Sequence, residues 1–222
     1  IEGLGPVGLP LTQKQAKELI KFCKKAPYGK GEKTLVDRNV RRVWRMEPDR
    51  FSLTNPEWEQ FLATMVDKVQ DGLGLENQTL KSHLYDLLLY EPGSFFLPHR
   101  DGEKLDRMVA TLIVALPSTY EGGELVVRHD GQERTIDFGG VEGSRFHLHF
   151  AAFYADCEHE VRPLRKGYRL CLVYNLTLAK SKKPVAAPRA SEHIARIRPL
   201  LREWAKDDSA RKLVVTLAHQ YT

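Results

Sequence analysis

Residues 90–101 read YEPGSFFLPHRD, and the end of this stretch organises the rest of the chain. His99 and Asp101 stand two apart. On extended backbone the side chains alternate between faces, so this spacing aims one imidazole and one carboxylate the same way. A second imidazole brought from a distant strand would complete a face of two histidines and one carboxylate. Such a face leaves neighbouring coordination positions open and suits Fe(II) in oxygen chemistry. An isolated H-x-D is equally a chance pair on a loop. The candidate third ligand is His159, in residues 159–169, HEVRPLRKGYR, which end on Arg169.

Outward from these two stretches the texture is β. His83–Tyr90, Arg107–Leu116, Glu124–His129, Glu133–Phe138, Arg145–Tyr154, Cys157–Val161 and Tyr168–Leu178 are rich in β-branched and aromatic residues and are bounded by turns. Asp130-Gly131 signals a hairpin, and Glu121-Gly122-Gly123, Gly139-Gly140 and Lys166-Gly167 mark further turns. Many short strands at this spacing predict a mainly β fold of sandwich or jelly-roll type. Helices flank it. Leu9–Lys24 carries Ala16, Leu19, Ile20 and Cys23 on one face behind a Thr12 N-cap, and Pro56–Val69 carries Trp58, Phe61, Leu62 and Met65. Residues 1–178 therefore read as one domain and 179–190 as a linker rich in Lys, Ala and Pro. Residues 191–222 read as a helix, interrupted at Pro199, then a strand at Leu213–Leu217, the start of a further region.

Length and composition agree with a folded chain: 222 residues, 42% hydrophobic and 28% charged. No apolar run approaches the roughly 18 residues of a membrane span, so no membrane partner is expected. The net charge of +5 invites a nucleic-acid reading, but its distribution argues otherwise. Residues 1–164 sum to −4 and residues 165–222 to +9. The catalytic stretch thus lacks the basic footprint of a phosphate-backbone binder. Three cysteines, an odd number with no C-x-x-C, fit a reducing compartment, cytoplasmic or nuclear.

Taken together, Tyr90-x-x-Gly93, His99-x-Asp101, Glu121-Gly-Gly-Glu-Leu125 and His159-Glu-Val161 followed by Gly167-Tyr-Arg169 resemble the Fe(II)/2-oxoglutarate-dependent dioxygenases, in their prolyl 4-hydroxylase-like branch. The resemblance spans residues 83–178 and implies a double-stranded β-helix core with the N-terminal helices packed on it. It implies Fe(II) held by His99, Asp101 and His159, and 2-oxoglutarate and O2 as co-substrates, with ascorbate as an accessory reductant. It also implies that Arg169 pairs with the distal carboxylate of 2-oxoglutarate and that Tyr90 hydrogen-bonds the same molecule. Tyr90 is equally a core aromatic of a strand. Two departures touch the co-substrate contacts: Cys171 stands where many relatives have Ser or Thr, and Leu125 where prolyl hydroxylases often have Thr. Thr111 is a candidate replacement hydroxyl.

By the same resemblance the reaction is hydroxylation of a C–H bond on a prolyl or other side chain of a protein or peptide, releasing succinate and CO2. Two alternatives stand beside it. One is an inactive β-helix binding module. The other is oxidative nucleic-acid demethylation, whose enzymes usually carry a second arginine six residues after the first, where this chain has Asn175. His147-x-His149 is a rival ligand pair, but no acidic residue follows at the spacing a cupin needs. Tyr28–Arg50, with a strand-like patch at Val40–Trp44 and a net +3, lies where relatives often carry a mobile cover over the site. It would suit an acidic peptide and is equally a solvated surface loop.

Overall fold

The structure, a computed structural model, describes residues 1–30, 33–76, 78–138, 143–179 and 191–204. Its centre is the strand at Arg169–Leu178 (β14), nine of whose ten residues are buried. Such a continuous apolar run marks a strand covered on both faces. β14 pairs antiparallel with β5 (Leu80–Tyr90) on one side and β7 (Met108–Leu116) on the other. The sheet continues outward from β5 to β4 (Trp44–Met46) and β1 (Lys24–Lys25), and from β7 to β11 (His149–Tyr154), six strands in all.

A second, four-stranded sheet runs in the order β10 (Gln132–Ile136), β9 (Leu125–His129), β12 (Glu158–Val161), β6 (Phe96–His99). Two short ladders complete the strands: β13 (Leu164–Gly167) with β8 (Tyr120–Gly122), and β2 (Tyr28–Lys30) with β3 (Lys33–Leu35). The two larger sheets enclose Leu88, Phe96, Leu125, Phe153, Val161, Cys171 and Val173. The alternate residues of the large sheet, among them Leu87, Leu89, Leu112, Leu170, Leu172 and Tyr174, pack with Leu19 of α1 (Gln13–Ile20) and Trp58, Leu62 and Met65 of α2 (Trp58–Gly72). This is the expected jelly roll with helices on one outer face.

The local grammar explains most boundaries. Thr12 caps α1 in a capping box with Gln15. Asp130 and Gly131 both adopt positive φ, 47° and 71°, as a two-residue hairpin turn of the primed kind demands between β9 and β10. Where the structure departs from the sequence reading, the reasons are local. β6 is a strand the periodicity misses because it is four residues long and contains Pro98; a proline is tolerated there because β6 lies at its sheet's edge. The strand-like patch at Val40–Trp44 splits: Arg41 bridges to Phe96 of β6, and only Trp44–Met46 joins β5. The last helix, α3 (Ser191–Trp204), runs through Pro199 without the expected interruption. Residues 180–190, which hold most of the predicted linker, the turn at Gly139-Gly140 and the strand predicted at Leu213–Leu217 lie outside the described residues. Among the described residues no helix is long and apolar enough to cross a membrane.

Leu172 is fully buried between β5, β7 and the helices. Leu172→Ala should lower unfolding free energy by about 2–5 kcal/mol in urea titrations. Phe146→Ala, at a ring 64% exposed, should change it by less than about 0.5 kcal/mol.

Candidate metal centre

β6 and β12 are adjacent antiparallel strands, and their register sets His159 opposite His99. Asp101 follows β6 by two residues. The ligating atoms of His99, Asp101 and His159 all lie within 4.8 Å of one another. His159 Nε2 is 3.8 Å from Asp101 Oδ2, and His99 Nε2 is 4.0 Å from Asp101 Oδ1.

The remaining ring nitrogens are held by the backbone. Nδ1 of His99 lies 2.8 Å from the carbonyl oxygen of Leu97, and Nδ1 of His159 lies 3.1 Å from that of Cys157. A carbonyl accepts only, so in each neutral ring Nδ1 carries the proton and Nε2 presents its lone pair to the shared space. The Thr111 hydroxyl donates to Asp101 Oδ2 at 2.6 Å. Thr111, a candidate replacement hydroxyl by sequence, aims the carboxylate. His99 is further fixed by stacking on Phe96 (centroids 3.4 Å), and Phe153 lies 4.4 Å from the His159 ring. Burial first, then the neighbouring His159, lowers the His99 pKa to about 3, keeping that imidazole neutral.

The three residues open onto a cavity of about 330 Å3. Its walls come from both sheets and from the N-terminal segment: Tyr90, Thr111, Val173 and Asn175 on the large sheet, Phe96 and Val161 on the small one, Pro27, Tyr28, Arg41 and Arg45 on the segment. The net-positive stretch at Tyr28–Arg50 therefore forms part of the cavity wall. Arg45 donates to Asp86 Oδ1 from Nε (3.0 Å) and Nη2 (2.7 Å), a part-buried ion pair on the same wall.

Arg169 sits one layer away and does not line the cavity. Its guanidinium lies 4.4 Å from the Tyr90 ring, with the Tyr120 and Phe138 rings at 5.5 and 5.7 Å, and it donates to the Gly123 carbonyl. Its Nε is buried and without a hydrogen-bond partner among the described residues. The Glu-Gly-Gly-Glu motif finds its reason here. Gly123 has a φ of +73°, and a β-carbon on it would come within 3.0 Å of Arg169 Nη1. Tyr90 lines the cavity directly; burial raises its pKa, so its hydroxyl stays protonated. His147 Nδ1 and His149 Nε2 both face the carbonyl of Gly143, at 3.0 and 3.2 Å, and join no metal-competent cluster among the described residues. Sequence reasoning held Arg41 and Arg45 only as part of a cover or a surface loop and missed Asp86, although a lone carboxylate in LYDLLLY was a visible signal.

Residues 85–177 match the 2OG-Fe(II) oxygenase superfamily. Among solved structures the chain is similar to a prolyl hydroxylase from Trichoplax adhaerens in complex with a hypoxia inducible factor oxygen degradation domain peptide fragment. The identity is 16%, with 74% of this chain and 75% of that one covered and a TM-score of 0.50. It is also similar to a Pseudomonas putida prolyl-4-hydroxylase, at 22% identity, 72% and 80% coverage and a TM-score of 0.48. A viral collagen prolyl hydroxylase from Paramecium Bursaria Chlorella virus-1 gives 17%, 76% and 92%, and 0.42. No curated protein matches the chain.

Two measurements follow from this geometry. Thr111→Val removes the hydroxyl that orients Asp101 and should weaken Fe(II) or Mn(II) binding about 10–100-fold by calorimetry, with little change in melting temperature. In the metal-free protein, His99 resists protonation when folded but not when unfolded. Below its ordinary pKa of 6.5 the unfolded state binds the extra proton, so its contribution to stability is full above pH 6.5 and falls as pH drops toward 3. His99→Gln should remove that part of the pH dependence of the urea midpoint.

Proposed function

We propose that this chain, a 2OG-Fe(II) oxygenase by the match over residues 85–177, hydroxylates a C–H bond on a prolyl or other side chain of a protein or peptide. Its cofactors are Fe(II), 2-oxoglutarate and O2, and its class is oxidoreductase, a dioxygenase. The observation that carries the reading is the convergence of the His99 and His159 Nε2 atoms and the Asp101 carboxylate on one cavity wall, each oriented by a second hydrogen bond. The donor set fits Fe(II): two imidazole nitrogens from paired strands and one carboxylate oxygen from the loop just after β6. Together the iron and 2-oxoglutarate supply oxidation of a C–H bond by O2, yielding the alcohol, succinate and CO2.

The protein's own residues hold, orient and exclude water. His99, Asp101 and His159 hold the metal. Arg169 takes the distal carboxylate of 2-oxoglutarate, because a guanidinium stays charged in a dry pocket and offers a fork that matches a carboxylate. Tyr90 lines the cavity beside Arg169, whose guanidinium lies 4.4 Å from its ring, and its hydroxyl donates to the same carboxylate. Phe96, Val161, Ile113 and Val173 line the cavity with apolar surface that limits water. The peptide part of the reading is supported by the motif resemblance to prolyl 4-hydroxylases and by the fold shared with a prolyl hydroxylase that was solved with a peptide. The three free cysteines, Cys157 and Cys171 buried, support a reducing compartment, cytoplasmic or nuclear.

The test is direct. Anaerobic protein with Fe(II) and 2-oxoglutarate should show a weak visible charge-transfer band, and admitting O2 should yield succinate. Peptide libraries should then show a +16 Da product. His99→Ala and Asp101→Ala should lose iron retention and turnover together. Arg169→Ala should keep iron and raise the 2-oxoglutarate KM more than tenfold. No band and no succinate from the wild type would sink the enzyme reading, and normal 2-oxoglutarate binding by Arg169→Ala would remove Arg169 from its role.

A further inference from the structure

The cavity wall carries a charge that the metal and co-substrate do not account for. Six ionisable side chains of fixed sign line it: Arg41, Arg45, Arg100 and Lys104 against Asp86 and Asp101. Arg45 is neutralised by Asp86, and Asp101 belongs to the metal centre. The iron's two positive charges and those of Arg169 meet their balance in Asp101 and the two carboxylates of 2-oxoglutarate. Arg100 and Lys104 lie on the loop after β6. Arg41 is different: it is half-buried, with Nε shut off from water, whereas Arg100 and Lys104 are exposed.

Arg41 Nη1 donates to the Pro27 carbonyl at 2.5 Å, while Nε is buried with no hydrogen-bond partner among the described residues. Among those residues it has no carboxylate in ion-pair range. Its guanidinium stacks on Phe96 at 4.4 Å, and burial lowers its pKa. Asp86 and Asp101 act on it only from beyond ion-pair range, and a guanidinium drawn into a wall without a directly paired carboxylate is costly unless a ligand supplies the anion. The position is built rather than accidental: Arg41 bridges to Phe96, Arg42 N–H donates to the Phe95 carbonyl, and Leu97 N–H donates to that of Val40.

Phe96 contacts both Arg41 and the metal centre, with His99 stacked on it at 3.4 Å. The guanidinium carbon thus lies no more than 7.8 Å from the His99 ring centre, the two stacking distances laid end to end. An extended peptide advances about 3.3 Å per residue, so that span corresponds to one or two residues.

We propose that Arg41 is a substrate-binding residue that receives a carboxylate of the substrate, and that the substrate is a peptide with Asp or Glu within two positions of the hydroxylated residue. This deepens the peptidyl reading above and rests on it. The same carboxylate chemistry could come from 2-oxoglutarate, so the test separates the two sources.

The protein is loaded with Mn(II), which binds without turnover, and with saturating N-oxalylglycine, an unreactive analogue of 2-oxoglutarate. Calorimetry then compares N-acetyl-Glu-Pro-Glu-amide with N-acetyl-Gln-Pro-Gln-amide. The wild type should bind the acidic peptide at least about tenfold more tightly, the scale of one buried charge-assisted hydrogen bond. Arg41→Gln should abolish that preference and leave the analogue's own affinity within about twofold. Arg41→Lys keeps the charge without the planar fork and should retain part of the preference; it carries the test if Arg41→Gln melts early. A wild type without preference for the acidic peptide, or a preference that either substitution leaves unchanged, overturns the proposal. Loss of analogue binding in Arg41→Gln reassigns the residue to the co-substrate and overturns it equally. Succinate formation by wild type with Fe(II) and 2-oxoglutarate alone reads the oxygenase function separately, so the two failures are distinguishable.

Discussion

His99 and His159 face each other across one antiparallel strand pair, and the rest of the site depends on that register. Strand side chains alternate with period two, so a slip of one residue between β6 and β12 would send one imidazole to the opposite face and dissolve the cluster. The protein secures this register from several sides. β12 is held by β9 through four successive pairs, Glu158 to Val161 against Arg128 to Leu125. Among the described residues β6 has only β12 as a sheet neighbour, and its open edge is covered by backbone bonds to Val40 and Arg42. The N-terminal segment is therefore structural for the metal centre as well as a wall of the cavity.

The two sheets divide the labour. The small sheet presents the imidazoles, while the large one supplies Thr111, Tyr90 and Arg169. β14 turns alternate residues to opposite sides: Leu170, Leu172, Tyr174 and Leu176 secure the helices, while Cys171 and Val173 join the space between the sheets. The buried polar groups are tied to this division. Asp86 is raised in pKa by burial and held against that by Arg45, Asp101 is aimed by Thr111, and Arg169 is cradled by Gly123 and three aromatic rings. In each case a strand or the loop leaving it places the group and a neighbour from another element contacts it, which is how a polar site persists inside an apolar sandwich. The net charge of +5 has little bearing on this site, because the whole of the surplus follows Leu164 in sequence.

Much of this was legible in the chain itself. The apolar run of β14, the Asp130-Gly131 turn, the Thr12 cap and the amphipathic face of α1 are local signals, and local signals survive reading one residue after another. His99, Asp101 and His159 could be singled out as a set because an H-x-D on extended backbone needs a distant histidine to be useful and the motifs around it resemble one family. The four residues of β6 could not be recognised as a strand, since a short proline-bearing edge has no periodicity to detect.

What the sequence alone determined, then, was the mainly β class, the strand-bearing segments, the capped and amphipathic helices and the list of chemically capable residues, all properties of spacing over a few positions. Only the tertiary structure decided which of those residues meet. It set His99 against His159, joined the Thr111 hydroxyl to Asp101, stacked Arg169 against the cavity-lining Tyr90, and brought Arg41 into the cavity wall with no ion pair among the described residues. The physical reason is that these contacts join segments tens of residues apart. Their geometry is fixed by sheet register and by the packing of one layer on another, and no local pattern encodes either.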